Sequence, residues 1–419
     1  MTKRTLAPAA VICLMGPVAA CAAGRPGAPS AGAEPIIGWR GDGTGRYPKA
    51  TPPTTWDADE SKNIAWQAEV GKGLSSPVVV GGRIFLTSEQ DLLVCVDRAK
   101  GKVLWKKANG LASLPAAMKV KEKRYPSSCG FSTPTPAADA KGVYASYGSG
   151  IVVRYDLEGD RKWVRYIDRQ QSTEYGRSAS PVLAAGKLLV SIGHLIALDA
   201  GTGKTLWEAP KAECSYGTPA VARIGGVDVA ITPNGDWVRV SNGELLARGL
   251  GSASYASPLV QDGVVYFVSL PTVAVKLPAK VGKAIKHQTL WENDELEGEL
   301  FASPVVCGGL LYCASNEGNL FVLDAETGKK VYQKRLPIPS ANPDPGMEPA
   351  NIYGSLALAG RHVFLGNDAG TALLLAPGRQ YKQLAENYLD EGSGATAGFA
   401  GRYVYLRGGT RLYCIGAGK

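Results

Sequence analysis

The phrase ALDAGTGKTLW (197–207) recurs along the chain, and that recurrence limits the fold more than any other feature. CVDRAKGKVLW (95–105) places Asp97, Gly101, Lys102 and Trp105 at the spacing of Asp199, Gly203, Lys204 and Trp207. VLDAETGKKVY (322–332) repeats it with Asp324, Gly328, Lys329 and Tyr332, and RYDLEGDRKW carries Asp156, Gly159 and Trp163 around a turn one residue shorter. An Asp closing one strand can accept backbone N–H groups in the turn, and Gly supplies a left-handed position. A Trp opening the next strand can then lie flat against a neighbouring unit. A residue type repeated around a structure is what packing between units requires, whereas a single catalytic site does not. Asp97, Asp156, Asp199, Asp324, Trp66, Trp105, Trp163, Trp207 and Tyr332 are therefore assigned to packing between units.

A second signature precedes each copy. SSPVVVGGRIFLTS (75–88), SASPVLAAGKLLVSI (178–192), YASPLVQDGVVYFVS (255–269) and FASPVVCGGLLYCAS (301–315) each read as a small residue and Pro, a strand, a tight turn and a returning strand. Weaker copies begin at 132, 217, 354 and 396. Each unit thus reads as strands A to D, with the Asp–Gly turn between C and D. Taking the residue after the Ser/Thr as marker, units begin near 77, 134, 181, 219, 258, 304, 356 and 397. The mean step of about 46 residues is that of a four-stranded propeller blade. Longer steps carry insertions at 108–131, 273–295 and 337–353, which are candidate partner surfaces. The last unit stops after strand C, and NIAWQAEV (63–70) resembles a strand D with no A to C before it. The expectation is an all-β, eight-bladed propeller of four-stranded antiparallel blades, closed when 63–70 completes the eighth, so that no sheet edge is left open.

The A-x-D-x-x-T-G-K-x-x-W pattern of 197–207 resembles the tryptophan-docking motif of pyrroloquinoline-quinone (PQQ)-like β-propeller repeats, and the resemblance covers about 36–419. Two kinds of protein share it: quinoprotein dehydrogenases and non-enzymatic envelope propellers of the BamB type. The lead-in GWRGDGTGRYPKATPPTTW (38–56) is similar to the segment before the propeller in bacterial PQQ-like repeat proteins. Within it Arg40-Gly41-Asp42 reads as a cell-adhesion tripeptide or as a Gly-rich turn, and the turn is the better explanation. A dehydrogenase would imply PQQ with Ca²⁺ and, in many cases, a disulfide between adjacent cysteines packed on the quinone. No Cys-Cys pair occurs here. The resemblance implies a non-catalytic, BamB-like scaffold with no cofactor. PQQ/Ca-dependent alcohol or sugar oxidation is the alternative, and a small-ligand or sugar-binding propeller is a third.

The N-terminus reads as a processing segment. Lys3 and Arg4 precede an apolar run, Leu6–Ala20, too short to span a bilayer. Val18-Ala19-Ala20-Cys21 resembles the lipobox of bacterial lipoproteins, in which Cys21 is acylated, although simple cleavage also fits these small residues. The expected organisation is a signal peptide over 1–20, a lipidated Cys and flexible tether over 21–35, and the propeller over 36–419. The expected location is the cell envelope or periplasm, anchored through Cys21, with envelope proteins or a small ligand as partners. The net charge of +9 is diffuse apart from Lys119, Lys121, Lys123 and Arg124, and no stacking constellation marks a nucleic-acid binder. Cys95, Cys129, Cys214, Cys307, Cys313 and Cys414 show neither zinc nor haem spacing, and the sequence leaves their pairing open.

Any ligand on the ring axis meets the D–A and B–C loops. Alignment of the units puts Leu74, Phe131, Ser178, Tyr216, Tyr255, Phe301 and Tyr353 at one equivalent position, as packing between inner strands or as an aromatic ring that grips a planar ligand or a peptide. The B–C loops contribute Glu89, Asp91, His194, Asn234, Asp236, Asn316, Glu317, Asn319, Asn367, Asp368 and Arg407. These read either as ordinary polar loops or as cofactor-contacting groups. His194, His287 and His362 form no metal-ligand cluster by spacing, and neither a catalytic residue nor a metal ligand is assigned.

Overall fold

The middle strands of each unit carry apolar residues on both faces, which a strand tolerates only when both its faces are covered. Arg83–Ser88 and Leu92–Asp97 are buried almost throughout, while the outer Val103–Ala108 alternates between half-buried and exposed. The computed structural model describes residues 38–118, 128–170, 173–339 and 350–416. Cys21, the leader and the tether lie outside these residues. Eight antiparallel sheets form the blades, over 78–108, 137–166, 182–213, 220–247, 259–293, 305–335, 357–388 and 398–415. Among the described residues, the buried apolar side chains gather into eight clusters, each shared by two neighbouring blades. Ile64–Glu69 pairs antiparallel with Arg411–Ile415 as the outermost strand of blade 8, so the N-terminal strand closes the ring. No described helix is long and apolar enough to cross a membrane.

The Asp–Gly turn has a geometric explanation. Asp97, Asp156, Asp199 and Asp324 each use Oδ1 to accept backbone N–H groups of their own turn, at 2.7–3.3 Å. The indole Nε1 groups of Trp66, Trp105, Trp163 and Trp207 donate at 3.0–3.3 Å to carbonyls in the turn of the following blade. Trp291, missed in the repeat because its own C–D turn is irregular, does the same to Ala325 O at 3.0 Å. The turn glycine is required twice over. Gly203 has φ +71°, and a Cβ there would lie 2.7 Å from the Trp163 ring. Tyr332 takes the indole's place in blade 6 and packs, half-buried, into the cluster between blades 6 and 7. Blade 4 has no indole in its outer strand, and the long C–D loop of blade 5 fills the gap with Leu277, Val281 and Ile285 against Leu246. This corrects the insertion read as 273–295: Thr272–Lys276 and Gln288–Asn293 are strands, and only the loop between them is extra.

The Ser/Thr that opens each unit forms a second, inner ring. The backbone N–H of Ser76 donates to Thr135 Oγ1, Thr135 to Ser180, Ser180 to Thr218 and Thr218 to Ser257. Ser257 continues to Ser303, Ser303 to Ser355, Ser355 to Thr396, and Thr396 returns to Ser76 Oγ. All eight bonds fall between 2.8 and 3.1 Å. This ring fixes the register of blade 2: its marker is Thr135-Pro136, not the Thr133-Pro134 taken from the doubled TPTP, because strand A begins at Ala137.

The lead-in enters the channel enclosed by this ring. Gly38 lies against Ala137 of blade 2, and Arg46–Tyr47 pairs parallel with the inner edge of blade 7. Arg40, 2% exposed, reaches the carbonyls of Pro304 and Leu356 at 2.6 and 2.8 Å, just before strand A of blades 6 and 7. Burial lowers its guanidinium pKa to about 10. With Arg40 inside the channel and in a turn, the Arg-Gly-Asp tripeptide is not presented as an adhesive loop. The chain then leaves the axis beneath blades 7 and 8, where buried Trp56 stacks on Phe364 at 6.5 Å, and joins the outer strand of blade 8.

Ser303→Ala removes the acceptor of a buried N–H and is expected to cost about 1–3 kcal/mol in urea unfolding. Ser254→Ala, at an exposed hydroxyl pair, is expected to stay within about 0.5 kcal/mol. A chain beginning at Gly71 bares the edge of Arg411–Ile415, and light scattering is expected to show it self-associating.

Candidate functional site

The D–A and B–C loops crowd around one mouth of the channel because each D–A loop must descend from an outer strand to the inner hydroxyl ring. Leu74, Ser178, Tyr216, Tyr255, Phe301 and Tyr353 each stand two residues before a ring hydroxyl. Phe131 does not, because in the corrected register that position is Thr133. Phe131 instead packs against Gly148 of its own blade. Four of the aligned positions form a continuous arc, with ring centroids 5.3 Å apart for Tyr216–Tyr255, 4.4 Å for Tyr255–Phe301 and 5.5 Å for Phe301–Tyr353. Tyr175 extends it, 5.9 Å from Tyr216, and its amide donates to the Tyr216 hydroxyl at 3.2 Å. Tyr175 escaped the alignment because the loop before blade 3 is longer, leaving Ser178 at the repeat position. Tyr353 and Tyr175 are 46% and 38% exposed, so the ends of the arc are open to solvent.

Carboxylates border this surface. The Tyr255 hydroxyl lies 3.5 Å from Glu299 Oε1, and the Glu299 amide donates to Glu317 Oε1 at 3.2 Å. Burial and then Glu299 raise the Tyr255 phenol, Glu174 and then burial raise that of Tyr175, and burial and then Asp368 raise that of Tyr353. Glu299 and Glu174 belong to D–A loops, which the search for B–C donors passed over.

The B–C candidates divide into separate local roles. Glu89 Oε1 accepts the Ser132 amide at 2.8 Å. Asp236, buried, accepts the Gly249 amide at 3.2 Å with Arg248 at 3.7 Å, and Asn234 donates to Glu213 O at 3.3 Å. Asn367 accepts the amides of Ala369 and Thr371 at 3.2 and 3.1 Å, and Asp368 accepts from Asn351 at 2.9 Å. His194 opens strand C of blade 3 and pairs with Glu208 at 2.8 Å, beside Arg169. Arg407, 1% exposed, donates to Thr87 O and the hydroxyls of Ser75 and Ser88, tying blade 8 to blade 1. Asn316 and Glu317 differ from the rest: Oδ1 of the first and Oε2 of the second are buried acceptors with no donor among the described residues. Among those residues no three His, Cys, Asp or Glu side chains converge as a metal site. Cys95, Cys313 and Cys414 are buried thiols within blades, and burial raises those of Cys95 and Cys414 to about 12.

A family model described as "Outer membrane protein assembly factor BamB" matches residues 54–331 and 280–376. The chain belongs to the BamB family. It is 24% identical over 282 residues to the BamB of Moranella endobia, covering 65% of this chain and 58% of that protein. It is 27% identical over 175 residues to the BamB of Legionella pneumophila, covering 38% and 43%. The matches therefore span less than two thirds of either relative. Among solved structures, BamB from Moraxella catarrhalis superposes with TM-score 0.56 at 12% identity, covering 84% of this chain and 98% of that one. A europium-containing methanol dehydrogenase superposes with TM-score 0.58 at 13% identity, covering 89% and 90%. At such identities these structures share the propeller architecture with the chain.

Beside Glu89, the Asp91 carboxyl is held up to about 6, by burial first and by Glu89 second. A carboxyl raised in the fold favours the native state while protonated, and that contribution is lost as pH rises from about 4 through 6. Asp91→Asn is therefore expected to raise the urea midpoint at pH 7 and to flatten its pH dependence between 4 and 6.

Proposed function

We propose that this protein is a non-catalytic scaffold of the bacterial cell envelope that binds protein partners at the channel mouth and is held to a membrane through an acylated Cys21. The observation that carries the reading is the half-exposed aromatic arc from Tyr175 to Tyr353, set on a rigid ring and open to solvent at both ends. Aromatic rings lose little conformational freedom on binding and present large contact areas, which suits a docking surface. The family supports the same direction, since its matched relatives are named outer membrane protein assembly factors. By that likeness the partners belong to outer-membrane protein assembly.

The residues at the mouth do not fit a PQQ–calcium pair. Glu89, Asp236 and Asp368 are each occupied by separate local donors, and no three metal-ligating groups converge among the described residues. The quinone is a tricarboxylate and would meet Glu174, Glu299 and Glu317. Arg177 and Arg407, the buried guanidiniums near the mouth, both donate to backbone carbonyls.

The test is photo-crosslinking in cells of the full chain carrying a benzophenone amino acid at Tyr353 or, as a control on an outer strand, at Leu104. Discrete adducts with envelope proteins are expected from Tyr353 and not from Leu104. The same protein is expected to show no saturable tryptophan quenching with PQQ and Ca²⁺. Calcium-dependent binding with dye reduction on an alcohol panel would overturn the non-catalytic reading. Adducts confined to Leu104 would overturn the choice of the mouth. Cys21→Ser is expected to move the protein from the membrane fraction to the soluble one.

A further inference from the structure

We propose that the mouth between blades 5, 6 and 7 is a receptor for a basic side chain, lysine or arginine, presented by an extended segment of a partner polypeptide. That the occupant is a polypeptide rests on the scaffold reading; the demand for a positively charged donor comes from the residues themselves.

Three features meet at this place. Tyr255, Phe301 and Tyr353 form an unbroken aromatic surface, with centroid separations of 4.4 and 5.5 Å. Glu299 stands 3.5 Å from the Tyr255 hydroxyl, at the edge of that surface. Beside it, Glu317 Oε2 and Asn316 Oδ1 are buried acceptors with no donor among the described residues. Glu317 Oε2 packs against Gly298, and two buried acceptors without donors among the described residues add negative potential beside the aromatic surface, which favours a ligand rich in N–H groups. Aromatic faces attract a cation, and a carboxylate adds charge-assisted hydrogen bonds to the same group. A guanidinium or ammonium meets all three demands, whereas an anion is repelled by Glu299 and Glu317.

Among the described residues neither carboxylate is in an ion pair. The contrast with the rest of the molecule sharpens the selection. The chain carries a formal net charge of +9, so a basic ligand is repelled by the surface at large and drawn to this acidic mouth. A metal ion fits less well, because among the described residues no third His, Cys, Asp or Glu joins the two glutamates. The arc also continues past Tyr255 to Tyr216 and Tyr175 in steps of 5.3 and 5.9 Å. Its whole contour matches about six extended residues at roughly 3.3 Å each, more than a single amine covers.

The experiment measures fluorescence anisotropy of labelled (Gly-Arg)₄ with the full-length protein, against labelled (Gly-Gln)₄ and (Gly-Glu)₄. Saturable binding of the arginine peptide alone is expected. Glu299→Gln and Tyr255→Leu are each expected to weaken it about five- to tenfold, and the half-exposed Tyr353→Leu gives a second aromatic probe with little risk to folding. Glu158→Gln, in a turn on the opposite face, is expected to leave the dissociation constant unchanged. Failure of the arginine peptide to bind, binding of all three peptides alike, or equal affinity in the three mouth variants would each overturn the proposal. Partner adducts from Tyr353 that persist beside such a failure would overturn the cationic chemistry and leave the scaffold reading standing. Loss of the adducts as well would remove both.

Discussion

The backbone N–H that each blade donates to a hydroxyl of the next is the interaction on which the rest of the structure depends. Eight such bonds close on themselves, from Ser76 through Thr135, Ser180, Thr218, Ser257, Ser303 and Ser355 to Thr396 and back. A closed ring fixes the pitch of every blade, since a shift in one would stretch both its neighbours. The short hydroxyl side chain also holds the inner strands at a constant spacing, which leaves a channel of defined width. The outer indoles do the corresponding work at larger radius: each lies over the turn glycine of the next blade and donates to a turn carbonyl. Between these two circles the apolar clusters fill the blade interfaces.

The candidate surface at the mouth follows from that frame. Because each D–A loop must reach a ring hydroxyl two residues later, Tyr216, Tyr255, Phe301 and Tyr353 are delivered to the same height on one mouth. Their mutual contacts are a consequence of blade pitch, as is the meeting of Glu299 with Glu317 across the loops of blade 6. The other side of the channel is treated differently. There the lead-in crosses from blade 2 to blade 7, and Arg40 secures it to the carbonyls that open strand A of blades 6 and 7. The same segment then supplies the closing strand, so channel filling and ring closure are two parts of one stretch of chain. The interior is thereby committed to structure, and the aromatic mouth is left as the exposed chemical feature of the axis.

Much of the fold was readable without coordinates. Eight units, their strand order and the closing role of 63–70 followed from the spacing of Asp, Gly, Trp and Ser/Thr-Pro. Errors arose where local sequence was ambiguous. Thr133-Pro134 and Thr135-Pro136 are both acceptable markers, and only the start of strand A at Ala137 chooses between them. The long step in blade 5 read as one insertion because its C–D turn lacks the Asp–Gly pattern, which also concealed Trp291. The candidate site was less legible. Four members of the arc were aligned correctly, but Tyr175, Glu174 and Glu299 lie in loops of irregular length, where repeat alignment has no purchase. Arg407 and His194, placed near the mouth by repeat position, are engaged within the frame: one bonds blade 8 to blade 1 and the other pairs with Glu208 of an outer strand.

What the sequence by itself determined is the repeating unit, and with it the number of blades and the way the ring closes. Repetition is encoded locally, in turns and strand-opening hydroxyls whose geometry involves only a few consecutive residues and one neighbour. The tertiary structure alone decided which side chains share the mouth, which acceptors lack a donor among the described residues, and that the Gly-rich lead-in belongs inside the channel. Those facts depend on how residues from different blades are brought to one height and one axis. Loop length and path set that arrangement, and neither is written in the period of the repeat.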